Sequence, residues 1–347
     1  MQPFTRRSFV KAISAMGSGA AFAATPVSAT MRVADALRFG DRRFKLCETR
    51  FLMGTSVSIT AIHESRDAVV EGIEAAFAEI GRLADIFDRR QPNAPVSVLN
   101  ETGRLTDAPA ELCELMKRSQ AFYRRSDGAF DPTVLPVVEM IRSNAGNSGI
   151  VSLTRSDLDD ALALVGADKL KVGDRDVQFD RSGMSVTFDG IGKGFIVDRA
   201  SDILLKKGIG NHLINAGGDI RARGERAADQ PWMVAIEEPG SKGCYTAVIR
   251  LKDAAVATSG GYEVYFDAEN SRQAVNPQTA LAPVSGVSVS VTAPTVMEAD
   301  ALSTSAFVMT PESAMRFING QAGSECMLVS TGGQKMLSRC WETMVRV

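Results

Sequence analysis

SRDAVVEGIEAAFAEIGRLADIF, residues Ser65 to Phe87, is the stretch on which the reading of the fold turns. Val69, Ile73, Phe77, Ile80, Ala84 and Phe87 recur at three- and four-residue steps, the spacing of one helical face, and Ser65 stands where an N-cap belongs. Upstream, Phe51 to Ala61 alternates as a strand does, with the turn residues Met53-Gly54-Thr55 inside it. Downstream comes a polar Pro/Asn stretch ending at Ser97-Val98-Leu99-Asn100, then a second helix over Ala108 to Arg125, stopped by Ser126-Asp127-Gly128. Ser156 to Val165 reads as a short helix, Lys169 to Thr187 as a hairpin or meander, and Gly194 to Lys207 as a helix stopped at Gly208. From Asn211 to Val291 the pattern is strands and turns. Helices return at Val296–Met309 and Pro311–Ile318, the latter ending at Asn319-Gly320, before two closing strands. Helices grouped early and strands late predict an α+β fold, with mixed or antiparallel sheets packed by helices and no internal repeat.

The bulk properties narrow the function. A chain of 347 residues with 45% apolar content can build a substantial core. A net charge of −2 without a long basic run argues against a nucleic-acid partner. His63 and His212 share no ligand-like spacing, and the five cysteines (Cys47, Cys113, Cys244, Cys326, Cys340) form no C-x-x-C pair. A zinc site built on His and Cys is therefore not expected.

The first residues read as an address. Thr5-Arg6-Arg7-Ser8-Phe9-Val10-Lys11 is a twin-arginine n-region, followed by the Ala/Gly/Ser-rich stretch Ala12 to Ala24. That stretch is too short to span a bilayer, which takes about 20 apolar residues. Val27-Ser28-Ala29 offers a cleavage site and Ala21-Phe22-Ala23 a competing one, and no cysteine stands nearby to carry a lipid. The expected organisation is a signal peptide over 1–29, a basic linker over 30–46 and one domain over 47–347. The mature protein would be periplasmic, exported already folded and without a stable membrane anchor.

Two kinds of constellation carry chemistry. Three glycine-marked loops punctuate the chain: Asp189-Gly190-Ile191-Gly192-Lys193-Gly194, Asn215-Ala216-Gly217-Gly218-Asp219 and Thr258-Ser259-Gly260-Gly261. Glycine lets backbone N–H groups approach an anion closely, and the first loop runs into a helix N-terminus, which favours phosphate. Its spacing is neither that of a P-loop nor that of a dinucleotide fingerprint, which fails at Phe195. The second constellation is Glu298-Ala299-Asp300-Ala301-Leu302-Ser303-Thr304, where Asp300 and Thr304 lie four apart on one helical face. A carboxylate with a hydroxyl or carbonyl is a partial shell for Mg²⁺, completed by waters and substrate phosphates.

Taken in order, these motifs resemble the FAD:protein FMN transferase (ApbE-type) family from about Phe51 to Val308. The matching segments are Met53-Gly54-Thr55, Ser97 to Asn100, Gly128-Ala129-Phe130-Asp131-Pro132-Thr133, Gly190 to Gly194 with Asp198, and Asn215 to Asp219. They continue through Thr258-Ser259-Gly260, Asn276-Pro277-Gln278-Thr279 and Ala299 to Leu302 with Thr304. The resemblance implies a two-lobed single-chain body with FAD in a cleft between the lobes. It implies FAD contacts from Met53, Ala129, Phe130, Asp131, Lys193 and Val275, and Mg²⁺ held by Asp300, Thr304 and the carbonyl of Gly190. FMN would pass from FAD to a Ser or Thr hydroxyl of an exported or membrane-associated flavoprotein, with AMP leaving.

Three departures from the family pattern bear on catalysis. Gln273 stands where the family commonly has His, Ala280 where it has Gly, and Thr187 where it often has an acid, with Asp189 two residues on. Gln is no general base at neutral pH, so Gln273 and Asp189 are the two candidates for handling the acceptor proton, beside Asp300 at the metal. Two other readings fit the same motifs: a hydrolase splitting FAD to FMN and AMP, and a non-catalytic FAD carrier.

Overall fold

The computed structural model describes residues 37–39, 43–144, 154–239, 241–260, 275–280, 288–330 and 332–345. The signal-peptide segment 1–29 and Gln273 lie outside the described residues.

An antiparallel hairpin opens the main sheet. β2 (Arg43–Leu52) and β3 (Thr55–His63) pair in register from Phe44↔His63 to Leu52↔Thr55. Met53 and Gly54 between them have φ of 54° and 72°, the two left-handed positions of a tight hairpin turn. The single alternating strand expected over Phe51–Ala61 is thus two strands. β1 (Leu37–Phe39) and the start of β2 also fall inside the stretch 30–46 expected as a linker, so the sheet begins there.

Nine strands make one antiparallel sheet in the order β1-β2-β3-β7-β8-β11-β12-β13-β14. Its later members are β7 (Asn211–Ala216), β8 (Asp219–Arg223), β11 (Ala254–Gly260), β12 (Ser288–Ala293), β13 (Glu325–Val329) and β14 (Lys335–Leu337). β4 (Arg104–Thr106), β5 (Leu170–Val172) and β6 (Asp176–Phe179) form a separate three-stranded sheet, and β9 (Trp232–Glu238) pairs with β10 (Ser241–Leu251). Alternation along each strand divides the core in two. Val57, Ile59 and Ala61 of β3, Ile214 of β7, and Ala255 and Ala257 of β11 face the helices. Ile62, Val256, Met327 and Val329 face the other way, against Trp232, Val234, Ile249 and Leu251 of the β9–β10 pair.

The helical layer is α1 (Arg66–Phe87), α2 (Pro95–Thr102), α3 (Ala110–Arg125), α4 (Leu135–Asn144), α5 (Arg155–Ala163), α6 (Gly192–Lys206), α7 (Val296–Phe307) and α8 (Pro311–Asn319). Ser65 caps α1 by accepting the Ala68 amide at 3.2 Å, and Val69, Ile73, Phe77 and Ile80 are buried as the periodicity requires. Each such side chain contributes about 1.5–3 kcal/mol on leaving water. α2 covers the end of the polar Pro/Asn stretch, where no helix was expected. Pro95 begins it, where a missing N–H costs nothing, and Gly103 ends it at φ 73°. The fold class is α+β, as the order of elements predicts. Among the described residues no helix is long and apolar enough to cross a membrane.

Beneath α6, Ser201 and His212 form a buried pair, with Ser201 Oγ 2.8 Å from His212 Nε2 and His212 Nδ1 2.8 Å from the Ile209 carbonyl. The carbonyl can only accept, so Nδ1 carries the proton and Nε2 accepts from the serine, leaving a neutral ring. Burial is the main cause that lowers the His212 pKa from 6.5 to about 4. Below pH 6.5 the unfolded chain takes up a proton that the folded chain refuses until about pH 4, so stability is lost as pH falls through that window. In urea unfolding, wild type should lose about 2 kcal/mol more between pH 7 and pH 5 than His212→Asn, which keeps an N–H for the Ile209 carbonyl but cannot titrate.

Candidate active site

α6 and α7 meet through their N-termini, and each supplies a carboxylate to the other. Asp198 of α6 accepts the amides of Val296 at 3.1 Å and Met297 at 2.9 Å. In return, Asp300 of α7 accepts the amide of Gly194 at 3.2 Å. Burial pushes the Asp198 carboxyl up, opposed by those two amides and by Arg221, whose Nε lies 3.7 Å away. The approach needs glycine. A Cβ on Gly194 would come within 2.6 Å of the Val296 carbonyl oxygen, and one on Gly190 within 2.8 Å of Thr304 Oγ1.

The junction brings Gly190, Asp300 and Thr304 together. Asp300 is 5% exposed, and Thr304 follows one turn later on α7. Ser259, at the end of β11, lies 2.9 Å from Ser303 Oγ and 3.5 Å from Thr304 Oγ1. The local donors are thus one carboxylate and neutral oxygens, the set Mg²⁺ takes. Among the described residues no three His, Cys, Asp or Glu gather.

Lys193, in the first turn of α6, pairs with the buried Asp219 at 2.9 Å. Asp219 follows the tight turn at Gly217 and Gly218, where φ is 63° and 103°. That turn abuts the β2–β3 turn, since a Cβ on Gly217 would sit 2.5 Å from Thr55 Oγ1. Met53 is therefore one turn away from the Lys193–Asp219 pair, partly buried against the main core.

Ala129, Phe130 and Asp131 are buried in the loop after α3, and Phe130 meets Phe122 edge-on at 6.1 Å. Asp131 accepts the Thr133 amide at 2.8 Å and its hydroxyl at 2.5 Å, and burial raises its pKa to about 6. The loop touches the Gly190 approach, where the Thr187 amide donates to the Pro132 carbonyl at 2.8 Å. It also touches the 275–280 turn, where Gln278 Nε2 donates to the Asp127 carbonyl at 2.7 Å. Val275 is buried against Val137 and Ile141 of α4.

Asp189 stands half-exposed at the rim, 3.3 Å from Arg89 Nη2. Arg89, Asn100 and Met184 line a cavity of about 350 Å³. Asn100 exchanges both amide hydrogen bonds with Val186, at 2.9 and 2.8 Å, which fixes the segment leading to Asp189.

A sequence model of the ApbE family matches residues 53–328, a span that contains every one of these loops. The chain belongs to the ApbE family. A relative named FAD:protein FMN transferase from Haemophilus influenzae is 28% identical over 284 residues, 77% of this chain and 78% of its own length. One of the same name from Vibrio cholerae is 31% identical over 290 residues, 80% and 86% respectively. The solved ApbE protein of Thermotoga maritima shares the fold with a TM-score of 0.77 at 28% identity, over 87% of this chain and 100% of its own.

Within this ApbE-family chain the structure groups the sequence candidates unevenly. Gly190, Lys193, Asp300 and Thr304 converge on one junction, with Asp189 at its edge. The loop of Ala129, Phe130 and Asp131 reaches it through the Thr187–Pro132 backbone bond, while Val275 packs beside α4 in the turn that Gln278 ties to that loop. Sequence reasoning gave no role to Arg89, and it quoted Asp198, Asp219 and Ser259 without one. Their partners are distant in sequence, so no local spacing marks them. Gly194→Ala should cost about 1–3 kcal/mol of stability, because its methyl meets backbone that cannot yield. Thermal unfolding of that variant beside Gly81→Ala, a helical glycine with nothing within 4 Å, checks it.

Proposed function

We propose that the chain is a Mg²⁺-dependent FAD:protein FMN transferase acting on an exported flavoprotein, with AMP as the leaving product. The observation that carries this reading is the convergence of Asp300, Thr304 and the Cβ-less Gly190 at the N-terminus of α6, beside Lys193. Family membership supports it, since the named relatives are FAD:protein FMN transferases.

Asp300, Thr304 and the Gly190 carbonyl are the groups that would hold Mg²⁺. Bound there, the ion supplies charge neutralisation on the pyrophosphate of FAD. The chain's own contribution is positioning and charge. Lys193 Nζ, steadied by Asp219, offers a cation beside a helix N-terminus, where a phosphate oxygen is favoured. Met53, Ala129, Phe130, Asp131 and Val275 would position the flavin half. The acceptor Ser or Thr oxygen forms a bond to the FMN-side phosphorus, the bond from that phosphorus to the bridging oxygen breaks, and AMP departs. The acceptor proton needs a destination. Asp189 has its carboxylate engaged by Arg89 and Gln273 carries no basic nitrogen, so transfer should be slow in wild type.

Single-turnover FMN transfer to co-purified periplasmic flavoproteins, read by in-gel flavin fluorescence and AMP release, tests the assignment. Asp300→Ala should lose Mg²⁺-dependent turnover. Gln273→His should gain about 10²-fold or more and acquire a titration near the imidazole pKa. Transfer that stays unchanged in Gln273→His but collapses in Asp189→Asn would make Asp189 the base. AMP release without labelled protein would favour FAD hydrolysis, and no AMP at all would favour a carrier.

Location follows from Arg6-Arg7 and the apolar stretch behind them. The mature chain resides in the periplasm after folded export. Replacing both arginines by lysine should retain the precursor in the cytoplasm, and unchanged periplasmic accumulation on fractionation would refute the twin-arginine route.

A further inference from the structure

Four oxygens run in a line beside the proposed metal ligands, and their chemistry gives the line a direction. Thr304 Oγ1 lies 3.5 Å from Ser259 Oγ, Ser259 Oγ lies 2.9 Å from Ser303 Oγ, and Ser303 Oγ lies 3.0 Å from the Asp300 carbonyl oxygen. Each hydroxyl has one proton, and a carbonyl has none to give. Ser303 is fully buried, and its proton goes to the Asp300 carbonyl. Its oxygen must then accept, so the Ser259 proton goes to Ser303. That leaves Ser259 only its lone pairs to offer Thr304, so a hydrogen bond across that 3.5 Å separation runs from Thr304 to Ser259.

The geometry points to Ser259 as a positioning residue that draws the Thr304 proton away from the cation and leaves the threonine lone pairs aimed at it. A neutral hydroxyl ligates a hard cation through a lone pair, and only if its own proton is turned elsewhere. The Asp300/Thr304 spacing brings the two side chains to one face of the helix but does not by itself set where the Thr304 proton points. The strand sets it. The β11–β12 register, with Ser259 opposite Val289 and Gly260 opposite Ser288, sets the end of β11 against α7 where Ser259 reaches both Ser303 and Thr304. The anchoring end of the line is the backbone of Asp300, the residue whose side chain is itself a ligand. One turn of α7 therefore fixes both the carboxylate and the polarity of the hydroxyls.

This inference rests on the metal site proposed above, and its test separates the two. Ser259→Thr keeps the hydroxyl, and Ser259→Val is its isostere without one, so the pair differs in the hydrogen bond alone. Mn²⁺ is titrated into the FAD-loaded mature chain and the free ion is read by electron paramagnetic resonance, with FAD affinity measured separately without metal. Ser259→Thr should bind Mn²⁺ nearly as wild type does. Ser259→Val should bind it about 10-fold more weakly or worse, the usual loss when a group orienting a metal ligand is removed, with metal-free FAD affinity unchanged. Equal Mn²⁺ affinity in the Thr and Val variants, with binding lost in Asp300→Ala, overturns the role of Ser259 and leaves the metal site standing. Undiminished binding in Asp300→Ala overturns both.

Discussion

Two helix N-termini brought close together repel, and the contacts between α6 and α7 offset that repulsion. Each terminus concentrates partial positive charge on unsatisfied amides. Asp198 accepts two of those amides on α7, and Asp300 accepts one on α6. Hydrogen bonds to a charged group are worth about 1.5–3 kcal/mol each, more than a neutral pair. Asp300 is buried and Asp198 only partly exposed, so losing either would take from the opposing amides the partner that the fold supplies. Asp198 is in turn steadied by Arg221 on β8, so the junction is tied to the sheet. The exchange fixes where Asp300 sits, and with it Thr304 one turn along and Gly190 against it. The same geometry brings the positive ends of two helices and Lys193 to a single place, which suits a pyrophosphate.

The sheet decides what surrounds that place. Val57 pairs with Ala216 and Ile220 with Val256, so the β2–β3 turn, the β7–β8 turn and the end of β11 all emerge at one edge. Met53, the Gly217-Gly218-Asp219 turn and Ser259 lie at one end of the sheet because successive antiparallel strands return to the same end. The opposite face of the sheet, closed by Trp232, Ile249 and Leu251 of the β9–β10 pair, contributes stability and no group to this junction.

How much of this could be read beforehand depended on how local the signal was. α1 was legible because its cap and six apolar positions lie within one stretch. α6 and α8 were legible from the residues that stop them. α2 was not legible in a stretch that reads only as polar and rich in Pro and Asn, although proline at a first helical position followed by Gly103 is a start-and-stop pair. Asp300 and Thr304 were legible from their four-residue spacing. Their convergence with Gly190 was not, since it depends on the absence of a Cβ at a contact between distant segments. Asp198 and Asp219 are ordinary acids in the sequence, and only the folded chain shows that each is spent on a neighbour of the junction.

The departures from the family pattern weigh very differently once the backbone is visible. Ala280, where the family has Gly, adopts φ 54°, so glycine there answers a conformational demand. Alanine meets the same demand at a cost of about 1–2 kcal/mol, and the turn still forms, with the Ala280 amide donating to the Asn276 carbonyl at 2.8 Å. Thr187, where the family often has an acid, still accepts the Asp189 amide through its hydroxyl at 3.3 Å, the local bond a short polar side chain makes two residues ahead of a turn. Both replacements leave the path of the chain into Gly190 intact. Gln273 differs in kind, because it exchanges a titratable ring for an amide that neither takes nor gives a proton at neutral pH. The chain therefore keeps the turns that lead into the junction and carries no titratable side chain at position 273. Under the transferase reading proposed above, that difference belongs to the rate and pH dependence of transfer rather than to the architecture of the junction.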